Sequence, residues 1–316
     1  MEEDYSIKIP DYITFARTFE NYKWYKPILV FVIGLIALII LQVIVFFAFN
    51  SVFSFDLNSL LAGGYDSLDP TSPMGIFTFI AIALVIPSLY ISSRIVRDRP
   101  FSSYSSSRGG WDMKIFLKCL TVPFAVYLIV NFILFLIRGP VGDFQLTLIS
   151  FFACLIFVPL QCIAEEYLYR GFLMQTFGSW FKIPVLALIL QAILFGASHS
   201  YNILGIIATL IMGLACGFLT YHTKGLEAGS ALHTINNLFA FYMVAIGLDT
   251  ITSNVTIVDF VIGLFVVIVS ACLIYYIGNK YNWFGESIRL RIPIRNSYIF
   301  YFYFSFLIIG NIFLSI

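Results

Sequence analysis

The chain has 316 residues, 60% of them hydrophobic, 18% aromatic and only 11% charged, with a mean hydropathy of +0.93. Soluble domains carry about 25% charged residues, so a water-solvated globule is excluded and a lipid bilayer is the expected surrounding. Lys and Arg number 18 against 17 Asp and Glu, for a net charge of +1; that balance offers nothing to a polyanion, and nucleic acid is not an expected partner. Five cysteines (Cys119, Cys154, Cys162, Cys216 and Cys272) are scattered through apolar runs without a CxxC pair. They read as small apolar side chains, not as a disulfide framework or a thiolate metal site.

In chain order, the segment 1–26 opens on an acidic stretch, MEEDYSIKIP, and continues with aromatics mixed with Arg17, Lys23 and Lys26. This lacks the form of a cleavable signal peptide and suits a cytoplasmic or interfacial segment over 1–26. Apolar runs of about 20 residues cross a bilayer as helices. Such runs occupy 27–49, 74–93, 115–137, a long stretch from about 145, then 184–202, 203–221, 230–248, 257–278 and 297–316. The expected fold is therefore all-α, a single polytopic transmembrane helix bundle over 27–316 with eight or nine spans. Loop-like composition falls at 50–73 and 97–113, and no internal repeat is evident. Alternation of these spans gathers every Lys and Arg except Arg138 on one side. The positive-inside rule puts that side, and the N-terminus, in the cytoplasm.

Ionisable and amide side chains are expensive in lipid, so each one inside a span is a functional hypothesis. Here they cluster between 161 and 237: Gln161, Glu165, Glu166 and Arg170 in the fourth run, Gln191 and His199 in the fifth, His233, Asn236 and Asn237 in the seventh. Glu166 and Arg170 are spaced i, i+4 with the acid N-terminal, the favourable order for a helical ion pair. Adjacent Glu165 lies about 100° away around the helix and has no local partner. Pro184 marks the turn between the fourth and fifth runs, and Glu165 and His199 stand almost equally far from it along the sequence, one on each side. With a rise of about 1.5 Å per residue, both lie about 25 Å from that turn on antiparallel helices, if the fourth run stays helical to Phe181. His233 and Asn237 share one helix face, whereas Asn236 points elsewhere and has no assignable role. Gly213 and Gly217 have the spacing of close helix approach.

Taken in order, Glu165-Glu166…Arg170-Gly171, Phe195…His199 and His233…Asn237 resemble the EExxxR, FxxxH and HxxxN motifs of the CPBP intramembrane protease family. That family includes CAAX prenyl proteases and bacteriocin-processing or immunity (Abi-like) proteins. The resemblance covers roughly 151–242, within a protease-like core at 145–248. It implies an eight-helix-type bundle around a polar cavity and a multi-pass protein of a prokaryotic plasma membrane. The implied activity is hydrolysis of a peptide bond in a membrane-associated peptide or protein: a prenylated tail, a bacteriocin leader or a regulatory protein. Glu165 would activate water with His199 as its partner, His233 and Asn237 would stabilise the oxyanion, and Glu166 and Arg170 would support them. Such a site holds Zn²⁺ through Glu165, His199 and His233, or works without metal; the resemblance leaves both open. No HExxH or GxSxG occurs, which sets aside zincin and serine-hydrolase patterns, although Ser198 and Ser200 flank His199. Two other readings stand beside it: a non-catalytic immunity or regulatory protein of the same fold, and a proton-coupled transporter using Glu165 and His199 as relay groups.

Overall fold

A computed structural model describes residues 11–53 and 69–285. The expected run at 297–316, with Lys8, Arg289, Arg291 and Arg295, lies outside the described residues. Those described are helical apart from loops and one isolated bridge between Ser106 and Gly225. The main helices are α1 Lys26–Phe53, α2 Pro73–Val96, α3 Met113–Arg138, α4 Leu148–Phe181, α5 Pro184–Ala197, α6 Ile203–Thr223, α7 Glu227–Ala245 and α8 Ile257–Lys280. Short polar side chains start several of them. Ser72, Asp112, Thr147, Asn202 and Thr256 each accept a backbone N–H from the first turn that follows, supplying a partner that the helix itself cannot.

Among the described residues six helices (α1 to α4, α6 and α8) are long and apolar enough to cross a membrane, so the chain is an integral membrane protein, and its described part holds fewer such helices than the eight or nine spans expected. The difference has two local causes. Helix α5 stops at Ala197 after 14 residues, about 21 Å and short of the roughly 30 Å hydrocarbon layer. Helix α7 has 19 residues, but Glu227, His233, Asn236 and Asn237 lower its apolarity. It is the central helix instead: Glu227 to Ile235 are all buried, and it packs against α3, α4, α6 and α8.

Two irregularities shape the bundle around α7. Helix α2 breaks at Leu84, between Pro73–Ala83 and Val85–Val96. Pro87 has no N–H to give the Ala83 carbonyl, which loosens the helix at this point. Gln42, on otherwise apolar α1, donates to the nearby Ala81 carbonyl at 3.1 Å. Helix α4 runs on to Phe181 as expected, but Tyr167–Met174 winds as a π-helix. This wide turn directly follows the two glutamates and carries Arg170. Span alternation counts Arg170 with the basic residues of the cytoplasmic side; it is instead wholly buried in the bundle.

Glycines permit the closest approaches. A Cβ on Gly213 would lie 3.1 Å from the Ala192 backbone, and one on Gly217 would lie 2.7 Å from Gln191, so the small-residue stripe of α6 seats α5. A Cβ on Gly171 would stand 2.8 Å from the Tyr104 carbonyl oxygen, which explains why glycine follows Arg170. Gly171→Ala is expected to cost about 1–3 kcal/mol as that carbonyl is pushed away. A drop in thermal midpoint in detergent, against wild type, measures it.

The N-terminal segment does more than lie at an interface. Tyr12 and Ile13 are fully buried, and the Tyr12 hydroxyl donates to the Tyr104 carbonyl at 2.7 Å. Arg17 donates to the Ser179 carbonyl, Trp180 to the Trp24 carbonyl, and Lys224 pairs with Asp11. The segment thus ties the C-terminal end of α4 to the α6–α7 turn.

Candidate active site

The site grows from α4. Its helical phase turns Glu166 inward, fully buried, and leaves the Glu165 side chain 13% exposed at the edge of a cavity of about 580 Å³. Glu166 Oε1 accepts from Arg170 Nη1 at 2.9 Å and from His233 Nδ1 at 2.9 Å. Arg170 Nη2 donates to the Gly213 carbonyl at 3.1 Å, and its guanidinium lies 4.4 Å from the Phe195 ring centroid. Glu166 Oε1 is therefore held by two donors, while its buried Oε2 has no hydrogen bond. Glu165 is more loosely held: Oε1 accepts from Gln161 at 3.2 Å. Its Oε2 lies 3.3 Å from His233 Nε2, close in distance but misaligned for a hydrogen bond, so it counts as unpartnered.

His233 bridges the two carboxylates. A carboxylate that accepts at Nδ1 fixes an N–H there, and the opposite nitrogen then faces Glu165. Glu166 and Arg170, both wholly buried, pair one negative with one positive charge. Neutrality of that kind is what a low-dielectric interior demands of charged side chains.

His199 lines the same cavity but sits apart. Its Nδ1 lies 2.7 Å from the Phe195 carbonyl, so it donates there and leaves Nε2 as the acceptor. Its hydrogen bonds run to Phe195 and Ser198, with none to Glu165 or His233. Phe195 spaces the two imidazoles, with ring centroids 4.9 Å from His199 and 5.5 Å from His233. The apolar member of the FxxxH motif is thus a wall shared by His199, His233 and Arg170. Ser198 does not stand as a nucleophile: its hydroxyl donates to the Phe195 carbonyl and accepts from Tyr169.

Asn237 lines the cavity, and so does Asn236, against the expectation that it points elsewhere. The two side chains are joined, Asn236 Nδ2 donating to Asn237 Oδ1 at 2.9 Å. At i+3 and i+4 from His233 the two amides straddle its helix face, closely enough for both to reach the same space. Gln161, Tyr169, Tyr201, Thr209 and Asn236 are polar cavity residues to which sequence reasoning gives no role. Gln161 is visible in the sequence as a polar residue in an apolar run; Tyr169 gives no signal among 19 tyrosines.

Glu165, His199 and His233 have the donor chemistry for Zn²⁺, and the Glu166 contact to His233 Nδ1 resembles the carboxylate support of a zinc-bound histidine. Among the described residues no three His, Cys, Asp or Glu side chains are gathered to hold an ion; His233 Nε2 and Glu165 Oε2 lie 3.3 Å apart, while the hydrogen bonds of His199 run elsewhere.

Comparison with known proteins gives the same region. Residues 146–239 match the Rce1-like family model, described as type II CAAX prenyl endopeptidase. This core resembles the Rce1-like family. The match spans all three motifs and is consistent with the CPBP family. The uncharacterized protein YyaK of Bacillus subtilis (strain 168) is 28% identical over 166 residues, which are 49% of this chain and 56% of YyaK. The chain thus spans little more than half the length of that curated relative. No solved structure matches.

Proposed function

We propose that this protein is an intramembrane endopeptidase that hydrolyses a peptide bond in a membrane-associated peptide or protein, with its N-terminus in the cytoplasm of a prokaryotic cell. A CAAX-type prenylated tail heads the substrate classes, because the matched family is described by that activity; a bacteriocin leader or regulatory protein follows. The observation carrying the reading is the unequal treatment of two adjacent glutamates. Glu166 stands back from the cavity with Oε1 locked by Arg170 and His233, and Glu165 presents at the polar cavity an oxygen without an aligned hydrogen bond.

The chemistry follows from that inequality. Glu165 Oε2 takes a proton from water as the water oxygen bonds to the scissile carbonyl carbon. His199 Nε2 accepts a hydrogen bond from the same water and aims it. The carbonyl oxygen gains charge as its π bond breaks, and the His233 Nε2–H and the Asn237 amide donate to it. Collapse of the tetrahedral adduct restores the carbonyl and breaks the C–N bond. The proton held by Glu165 passes to the leaving nitrogen, so one water is consumed and an acid and an amine are released. Every step uses groups of the chain itself.

The test is cleavage by protein in lipid nanodiscs, with farnesylated and unmodified forms of one peptide followed by mass spectrometry. One internal cut, faster on the farnesylated form, is the expected result. Proton flux across liposomes without any cut would replace the peptidase by a transporter. Dialysis against a chelator is expected to leave turnover within about twofold, because this reading assigns water activation to Glu165 and not to an ion. Loss of turnover restored by Zn²⁺ would move water activation to the ion.

A further inference from the structure

Asn237 accepts a hydrogen bond from Asn236, and Asn236 in turn has a partner outside the cavity's chemical groups. The Tyr127 hydroxyl, on α3, donates to Asn236 Oδ1 at 2.7 Å. Tyr127 is a buried side chain, packed against Phe239 with ring centroids 5.6 Å apart. A chain of two hydrogen bonds therefore runs from an apolar helix to the cavity: Tyr127 hydroxyl to Asn236 oxygen, Asn236 nitrogen to Asn237 oxygen.

We infer that Tyr127 and Asn236 are positioning residues that fix which end of the Asn237 amide faces the reacting carbonyl. A primary amide has an acceptor end and a donor end of nearly equal shape, and an oxyanion needs the donor. With Asn237 Oδ1 held by Asn236, the N–H groups are the end left for the cavity. One of the two N–H groups reaches the Cys162 sulfur, a weak acceptor, and the second remains for the cavity. The relay has one other setting. If Asn236 turned over, its nitrogen would donate to the Tyr127 oxygen and its carbonyl would accept from Asn237, turning the Asn237 carbonyl toward the substrate. The direction of the hydrogen bonds decides whether the site presents a donor. Asn236, which helical phase alone leaves without a role, thus acquires one.

This inference rests on the peptidase reading of the cavity, and the experiment separates the two. Tyr127→Phe is expected to lower kcat on the order of tenfold with KM within about twofold, because the donor remains but its orientation is no longer held. Asn236→Asp is nearly isosteric but only accepts; it draws the Asn237 N–H toward itself and is expected to lose on the order of a hundredfold, as for removal of an oxyanion donor. In an Asn237→Ala background, Tyr127→Phe is expected to change nothing further. An equal factor in both backgrounds, or no effect in wild type, overturns the relay. A second readout needs no activity. With selective ¹⁵N-asparagine labelling, Tyr127→Phe is expected to shift the side-chain amide signals of Asn236 and Asn237, and their remaining in place overturns the relay as well. If wild type cuts no peptide, the peptidase reading falls and the amide signals still decide the relay.

Discussion

Glu165→Gln is expected to slow peptide cleavage by about 10³-fold, the range of a lost general base, while the protein unfolds at nearly the wild-type temperature. The two halves of that expectation come from the same contacts. The replacement keeps the carbonyl oxygen that accepts from Gln161 and removes a charge whose Oε2 has no aligned hydrogen bond. Little stability is at stake, since the side chain faces the cavity and is not wedged between helices. An amide, however, cannot take a proton from water at neutral pH. Glu166→Gln should behave differently, losing both activity and stability, because that oxygen holds Arg170 and His233 together. Progress curves for the two variants beside thermal unfolding give the comparison. If Glu166→Gln alone abolished turnover and Glu165→Gln were active, the roles of the two carboxylates would have to be exchanged.

The long apolar runs are legible because lipid imposes one simple demand, a run of about 20 residues without an exposed polar group, and α1, α3, α6 and α8 meet it almost residue for residue. The extent of α5 is not legible. Ser198 to Asn202 fall within an apolar window, yet Asn202 caps the next helix and the chain leaves the helix before it. Composition also misjudges α7, whose polar residues make it the hub of the bundle rather than another span. For the site, periodicity can pair Glu166 with Arg170 and His233 with Asn237, since those contacts or shared faces are local on one helix. It cannot show His233 reaching across from α7 to both glutamates of α4, nor Phe195 standing between the imidazoles. Tyr127 is invisible for a plainer reason: a tyrosine in an apolar run looks the same whether its hydroxyl meets headgroups or an asparagine. The π turn at Tyr167–Met174 has no compositional mark beyond Gly171, yet it determines where Arg170 arrives.

That arrival is the basis of the second large effect. Arg170→Met is expected to destabilise the folded protein by about 3–5 kcal/mol, the cost of leaving a buried charge without its partner. Arg170 gives one hydrogen bond to Glu166 and one to the Gly213 carbonyl, and its planar face covers Phe195. Lysine has neither the fork nor the flat face, so Arg170→Lys is expected to recover only a small part of the loss. The informative variant is the double one. In Glu166→Gln/Arg170→Met both opposite charges are gone, and the thermal midpoint should recover much of its wild-type value, since a neutral, well-filled interior is no worse than a buried ion pair. Activity should not return with it, because His233 Nδ1 then meets an amide instead of the carboxylate that orients its ring. Thermal unfolding and turnover measured on the same preparations should therefore part company in the double variant. A double variant that is both stable and fully active would mean that the pair serves only to hold α4 in place.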